Sequence, residues 1–194
     1  MLPPLATQMI PSAPASPRGM SGVGWNQLTP LVGTEPGDEP EACAVGDEKR
    51  ALELLKKDPS LLQSYSEDGF PTAGLAVFFR HPDLARELIE RGADVNAVAQ
   101  NPQRVGAVSA AVAVGDHATM KLLLDRGANP NVRQEEGFTA LHGAAAHGDV
   151  EMAKMLLEHG ADPHARTDDG KSAADVAEKY SQPAFAEWFR ANIK

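Results

Sequence analysis

The stretch that decides the fold of this 194-residue chain is Gly137-Phe138-Thr139-Ala140-Leu141-His142-Gly143-Ala144-Ala145, followed by Leu156-Leu157-Glu158-His159-Gly160-Ala161-Asp162. The last part of it has two earlier counterparts, Arg91-Gly92-Ala93-Asp94 and Arg126-Gly127-Ala128-Asn129. Gly92 and Gly127 lie 35 residues apart, and Gly127 and Gly160 lie 33 apart. A 33-residue period with one two-residue insertion predicts a solenoid of stacked units, which usually presents a binding surface.

The repeats also contain the pattern of a helix with one buried face. Apolar residues recur at positions i, i+3 and i+4 in Ala51, Leu54 and Leu55, in Ala85, Leu88 and Ile89, and in Ala153, Leu156 and Leu157. The predicted helix starts are the N-cap residues Asp47, Asp116 and Asp149 and the first-turn residue Pro82. The predicted helix ends are Gly92, Gly127 and Gly160, where a positive φ is needed.

The segment from Thr139 to His142 resembles the Thr-Pro-Leu-His turn of the ankyrin-repeat family, with Ala140 where the family usually has proline. The resemblance implies an all-α solenoid of about four to five helix-turn-helix units with β-hairpin fingers. It also implies that His142 bonds to turn backbone and ties adjacent units together. The predicted fingertips are Glu67-Asp68-Gly69, Glu135-Glu136-Gly137 and Asp168-Asp169-Gly170.

Two regions are predicted. Residues 1–39 are rich in proline and glycine, which predicts a disordered tail or at most an adhering arm that uses Trp25 and Leu28. Residues 40–194 are predicted to fold without this tail, as units 40–66, 67–99, 100–133, 134–166 and 167–194. The last unit is expected to close the stack with Phe185, Trp188 and Phe189.

Composition excludes several classes of function. The net charge of −9 argues against a general binder of nucleic acid or anionic membranes, since either needs an excess of Lys and Arg. Cys43 is the one cysteine, so no internal disulfide is possible. The sequence shows no secretory signal and no stretch of about 20 apolar residues, and a cytoplasmic location is therefore predicted.

No catalytic or metal-binding pattern emerges. The six histidines include no i, i+4 pair, and Ser109, Thr139 and Cys43 lie in no nucleophile motif. The acidic pairs of the fingertips are expected to be solvated turns. The prediction is a protein that is not an enzyme and that needs no metal or other cofactor.

The resemblance places the binding surface on the concave face, at the ends of the first helices and at the fingers. The predicted contact residues are Phe70, Phe78, Phe79, Val114, Glu135, Glu136, Phe138, His147, Asp168, Asp169 and Tyr180. An apolar groove with an acidic rim suits an unidentified protein partner with apolar and basic segments. Phe78 and Phe79 could instead belong to the core.

The leading interpretation is a non-catalytic module for protein–protein interaction, with a monomer favoured. One alternative is a scaffold that associates with itself through the tail or the groove. A regulator that binds a small molecule or a metal is a third possibility.

Overall fold

The structure, a computed structural model, describes residues 39–193. The prediction for the tail of residues 1–39 lies outside these residues, except for Glu39, which is the first residue of the first helix. The described part is all-α, as the sequence predicts.

Ten α-helices follow one another in five pairs within the described residues. They are α1 (Glu39–Val45), α2 (Glu48–Lys57), α3 (Thr72–Phe78), α4 (Pro82–Glu90), α5 (Ala107–Val114), α6 (His117–Asp125), α7 (Ala140–His147), α8 (Val150–Glu158), α9 (Ala173–Lys179) and α10 (Pro183–Asn192). Short 3-10 helices lie at Pro59–Gln63 and Glu135–Gly137. The five helix pairs, each with the finger that precedes it where one is described, are here called units 1 to 5.

The predicted starts and ends of the second helices are confirmed. The carboxylates of Asp47, Asp116 and Asp149 accept hydrogen bonds from backbone N–H groups three residues ahead, at 2.9 to 3.0 Å. These bonds satisfy donors that the first helical turn leaves without a partner. Pro82 is the first residue of α4, and Gly92, Gly127 and Gly160 follow their helices at positive φ.

The fingers are β-hairpins of minimal extent. Each contains a backbone N–H···O bond between its two arms, at 2.8 to 3.0 Å: Ser66 to Phe70, Ala99 to Val105, Gln134 to Phe138 and Thr167 to Lys171. In the first finger the Thr72 N–H also donates to the Ser64 carbonyl at 3.2 Å. The two-residue insertion therefore lies inside the second finger, between Ala99 and Val105. Neighbouring fingers are also linked, since the Asp168 N–H donates to the Glu136 carbonyl at 2.9 Å.

The core is one continuous cluster, to which the first helices contribute mainly small residues and the second helices contribute larger ones such as Leu88, Met120 and Leu156. Ala76, Ala111, Ala144 and Ala177 are fully buried. Gly143 marks the closest approach, because a Cβ atom there would lie 2.9 Å from Cγ1 of Val112. In unit 5, Phe185 and Phe189 are buried, and Trp188 packs partly buried against the core.

A repeated side-chain clamp joins the units along the ends of their second helices. A single amide side chain donates to the carbonyl of the next unit's turn glycine and accepts from the N–H two residues further on. The three clamps are Gln63 to Gly92 and Asp94, Asn96 to Gly127 and Asn129, and Asn131 to Gly160 and Asp162, with distances of 2.7 to 3.2 Å. This clamp was not predicted from the sequence.

His142 has the role that the resemblance implies. It is fully buried, its Nδ1 accepts from the Thr139 N–H at 3.2 Å, and its Nε2 lies 3.2 Å from the Lys171 carbonyl oxygen. Since Nδ1 accepts, the proton of the neutral ring is on Nε2, which donates to Lys171. One imidazole therefore joins its own turn to the finger of unit 5.

We expect Gly127→Ala and Gly160→Ala each to lower the free energy of unfolding by roughly 1 kcal/mol, because an L side chain is strained at positive φ. A Cβ atom at either position meets nothing within 4 Å, so the loss reports backbone strain alone. In the turn between the two helices of unit 2, Arg80 has a positive φ of 62°. Units 3 and 4 have a glycine at the same position, Gly115 and Gly148. Arg80→Gly should therefore stabilise the protein in urea unfolding. No change in any of the three variants would refute these turn assignments.

We expect His142→Ala to lower the free energy of unfolding by roughly 2 to 4 kcal/mol, because it leaves a cavity and unpaired backbone groups at the junction of units 4 and 5. Burial lowers the pKa of the His142 imidazole from its usual 6.5. This side chain therefore stabilises the fold fully above about pH 6.5 and loses that contribution as the pH falls below it.

Urea unfolding at several pH values between 8 and 5 tests this linkage. The wild type should lose stability toward pH 5, and His142→Gln should lose less over the same interval. Burial also lowers the pKa of His147, so part of the dependence should survive in His142→Gln. His164→Gln, at an exposed position, is the control. An unchanged pH dependence in His142→Gln would contradict the assignment.

Candidate functional site

A groove on the concave side, here called the central groove, lies between the fingers of units 3 and 4. Its floor is formed by small and apolar residues of α5 and α7, namely Ala110, Val112, Ala113, Ala140 and Gly143. Its walls contain Phe78, Val105 and Phe138, and its rim contains Gln103, Glu135, Glu136 and His147. Five of the predicted contact residues therefore line one depression: Phe78, Glu135, Glu136, Phe138 and His147.

The position of the groove follows from departures from the repeat. Ser109 stands in unit 3 where His142 stands in unit 4, three residues into the first helix. Its hydroxyl accepts a hydrogen bond from Nε2 of Gln134, a residue of the next finger, at 2.8 Å. The Ser109 hydroxyl is shorter than the His142 imidazole and does not reach the next finger by itself. The Gln134 side chain therefore extends from that finger to the hydroxyl, and space remains beside the bond.

Phe138 packs against His142 on one side of its ring. Its ring lies 5.6 Å from the imidazole of His142, and it packs against the core while keeping part of its surface in water. The residue that ties units 4 and 5 together thereby also supports one wall of the central groove.

The two phenylalanines at the end of α3 have different environments. Phe78 is half-buried, packs against the core and lines the groove, whereas Phe79 is 40% exposed. Their rings meet edge to face with centroids 5.4 Å apart. Neither is a fully buried core residue, and Phe79 is one of two large apolar residues exposed in the described part of the chain.

The remaining predicted residues lie outside the central groove. Phe79, Val114, His147 and Tyr180 occupy equivalent positions at the ends of four successive first helices, and of these only His147 reaches the groove lining. Phe70 is half-buried in the first finger. Asp168 and Asp169 are exposed at the last fingertip.

The acidic residues at the fingertips differ in whether they form ion pairs. Asp168 pairs with Arg133 at 2.7 Å, and Asp169 pairs with Lys171 at 2.8 Å. Hydrogen bonds from Lys171 and Thr167 lower the pKa of Asp169 to about 2. The side chains of Glu135 and Glu136 have no ion pair with any described residue. Two carboxylates that no basic side chain of the described residues neutralises therefore lie beside the central groove.

Sequence reasoning missed several lining residues, including Gln103, Ser109, Val112, Gln134 and Gly143. The two-residue insertion was a signal for the lengthened finger, and Ser109 at the histidine position was a signal for the polar contact. The Gln134 bond to Ser109 crosses 25 residues and depends on how the units stack, so no local pattern indicates it.

Two histidines lie close to carboxylates of a neighbouring unit. His117 lies 2.9 Å from Asp149, and His159 lies 3.3 Å from Asp125, each across a unit junction. Residues 39–193 include no group of three or more His, Cys, Asp or Glu side chains arranged to hold a metal ion. Among the helices described, none is long and apolar enough to cross a membrane.

Comparison with known proteins agrees with this architecture. A family model for ankyrin repeats in many copies matches residues 123–177, and a model for a single ankyrin repeat matches residues 75–100. A protein of Treponema pallidum (strain Nichols) named as ankyrin repeat-containing is 38% identical over 73 residues, which are 38% of this chain and 24% of that protein. The chain thus spans about a quarter of the length of this relative.

The matched regions contain the turn, the paired helices and the Gly-Ala-Asp or Gly-Ala-Asn closure that repeat in the structure. Ankyrin repeats generally mediate protein–protein interactions. The repeats, the fold and these matches together show that the chain contains ankyrin repeats.

Proposed function

We propose that this chain is a non-catalytic interaction module that binds an extended segment of a partner protein in the central groove. The observation that carries the proposal is the combination in one depression of an apolar floor with two carboxylates, Glu135 and Glu136, that have no ion pair within residues 39–193. The partner's apolar side chain would occupy the floor, and its Lys or Arg would meet the rim.

The floor favours a side chain of moderate size. Ala113 and Gly143 present almost no side chain of their own, so an aliphatic or aromatic group can approach the helix backbone closely. Phe78 and Phe138 would flank it. Aromatic side chains around a desolvated contact are frequent contributors to binding energy.

The rim favours a cation for an electrostatic reason. Arg133 and Lys171 neutralise Asp168 and Asp169 on the last finger, whereas Glu135 and Glu136 keep their charge for a partner. Exposed charges of this kind contribute mainly to the rate and specificity of association and are screened by salt.

Phe79 adds a second contact outside the groove. It is exposed, it touches Phe78, and it belongs to the row of residues at the ends of the first helices that continues through Val114, His147 and Tyr180. A partner segment that follows this row would cross the first helices of units 2 to 5. Since Phe79 could equally meet another copy of the chain, light scattering must accompany the binding tests.

We further propose a cytoplasmic location, in keeping with the single, buried Cys43.

We expect the double reversal Glu135→Lys with Glu136→Lys to weaken binding at low salt by about tenfold or more, since it replaces attraction by repulsion at the groove rim. The probe is a 12-residue peptide selected from a random library on the wild-type protein, with affinity measured by fluorescence anisotropy. Selected peptides should contain an apolar residue near Lys or Arg.

The matched control is Glu90→Lys with Glu158→Lys, which makes the same change of charge at exposed positions on second helices. It should bind nearly as the wild type does. Equal weakening by both pairs would mean that only net charge matters and would exclude a rim-specific contact.

We expect Phe79→Ala to leave the melting temperature nearly unchanged and to weaken binding of the same peptide, since truncating an interface aromatic commonly costs about 2 kcal/mol of binding energy. A buried phenylalanine would behave in the opposite way and lose roughly 3 to 5 kcal/mol of stability. Thermal melting and anisotropy on the same sample separate the two results. A stable variant with unaltered affinity would remove Phe79 from the proposed surface.

A further inference from the structure

Two large apolar residues are exposed in the described part of the chain, and they occupy equivalent positions in adjacent units. Val45 is 64% exposed and Phe79 is 40% exposed. Each lies two positions before the N-cap residue of the second helix of its unit, Asp47 or His81. The row that contains Phe79 therefore begins one unit earlier, at Val45, and has one member in each of the five units.

The row is accessible along its whole length and borders the central groove. Its other members, Val114, His147 and Tyr180, all keep part of their surface in water. Phe78 lines the groove and meets the Phe79 ring edge to face, and His147 belongs to both surfaces. A partner segment bound in the groove can therefore continue along the row.

The spacing of the row follows from the close stacking of the first helices. Packed helices lie about 8 to 10 Å apart, so successive members of the row are separated by about that distance. A polyproline II helix has three residues per turn and rises about 3.1 Å per residue, so it presents a side chain to one face about every 9.3 Å. A β-strand presents one about every 6.6 Å, which does not match the spacing of the units.

The turns that follow the row in units 2 to 5 have already used their backbone donors. The two N–H groups after each row residue donate to carbonyls of the preceding first helix, at 2.8 to 3.2 Å. The donors are Arg80, His81, Gly115, Asp116, Gly148, Asp149, Ser181 and Gln182. A β-strand partner needs free donors for its ladder, whereas a polyproline II segment forms no ladder and keeps its backbone solvated.

The side chains of this surface suit proline and basic residues. The rings of Phe78 and Phe79 have centroids 5.4 Å apart, and Val45 occupies the adjacent position of the row. Aromatic-lined grooves are frequent receptors for proline-rich segments, whose preformed helix loses little entropy on binding. Glu135 and Glu136 supply negative charge between units 3 and 4, where a Lys or Arg of the segment would meet them.

We propose that the partner segment of the central groove is a polyproline II helix that runs along the row, with proline or aliphatic residues at every third position over Val45, Phe79 and Val114. A Lys or Arg further along the segment meets Glu135 and Glu136. This inference rests on the proposed function and adds to it the conformation of the partner segment, its period of three residues and a contact with unit 1.

The test uses the full chain and fluorescein-labelled polyproline peptides of about 15 residues, a length of about five turns. Each peptide contains the same few leucines and lysines. In the matched peptide successive leucines are separated by one turn, and in the control peptide by one turn and one further residue. We expect the matched peptide to bind about tenfold more tightly in fluorescence anisotropy, because only its leucines contact the row together.

Val45→Ala tests the row alone, since Val45 takes no part in the central groove. It should weaken binding of the matched peptide by about threefold or more, because it removes apolar contact area. Its melting temperature should stay nearly unchanged, because the Val45 side chain is already mostly in water. Lys49→Ala, at an exposed position on the second helix of the same unit, is the control and should bind as the wild type does.

Equal affinity of the two peptides, or unchanged affinity in Val45→Ala, would overturn this inference. If peptides selected from a random library still lost affinity on reversal of Glu135 and Glu136, the proposed function would stand without it. If no peptide bound at all, both would fail.

Two further results would assign the row to another occupant and thereby contradict a polyproline II partner. The first is tighter binding of an alanine-based helical peptide with one leucine on every second turn. The second is a dimeric mass in light scattering that Val45→Ala converts to a monomeric one, since a second copy of the chain would then cover the row.

Discussion

The close stacking of the first helices is the constraint on which the rest of the structure depends. Alanine and glycine at the facing positions let adjacent units approach until, at Gly143, a single added carbon would collide with Val112. Because each unit contacts only its neighbours, stability is approximately a sum of such junctions. The chain therefore gains its cohesion from repetition of a close contact between first helices, and the second helices supply most of the larger buried side chains.

Polar bonds then fix the register of each junction. The amide clamps of Gln63, Asn96 and Asn131 join successive units at the ends of the second helices, and His142 joins units 4 and 5 through the turn and finger. Such bonds are directional, so they resist sliding of one unit over the next in a way that apolar contact does not. The junction of units 3 and 4 has Ser109 at the histidine position and a longer second finger, and the central groove lies at that junction.

The repeat itself was predictable from the sequence because it depends on local chemistry. Asp149 as an N-cap, Gly160 at positive φ and His142 in its turn each follow from a short motif whose geometry the backbone dictates. The lining of the groove was only partly predictable. Phe138 and Glu135 follow from their position in the repeat, whereas the Gln134 bond depends on the stacking of two units.

The surface of this chain is distinguished by the positions at which one unit differs from the others. The aromatic members of the row, Phe79 and Tyr180, are each followed by a non-glycine residue at positive φ, Arg80 at 62° and Ser181 at 60°. Val114 and His147 are followed by glycine, which adopts that conformation at little cost. Units 2 and 5 thus combine a strained turn with an aromatic side chain at the edge of the concave face. Their larger side chains lie on either side of the two central units, where Ala113 and Gly143 leave the floor open. A segment bound in the groove would meet aromatic contacts toward both ends and carboxylates at its middle.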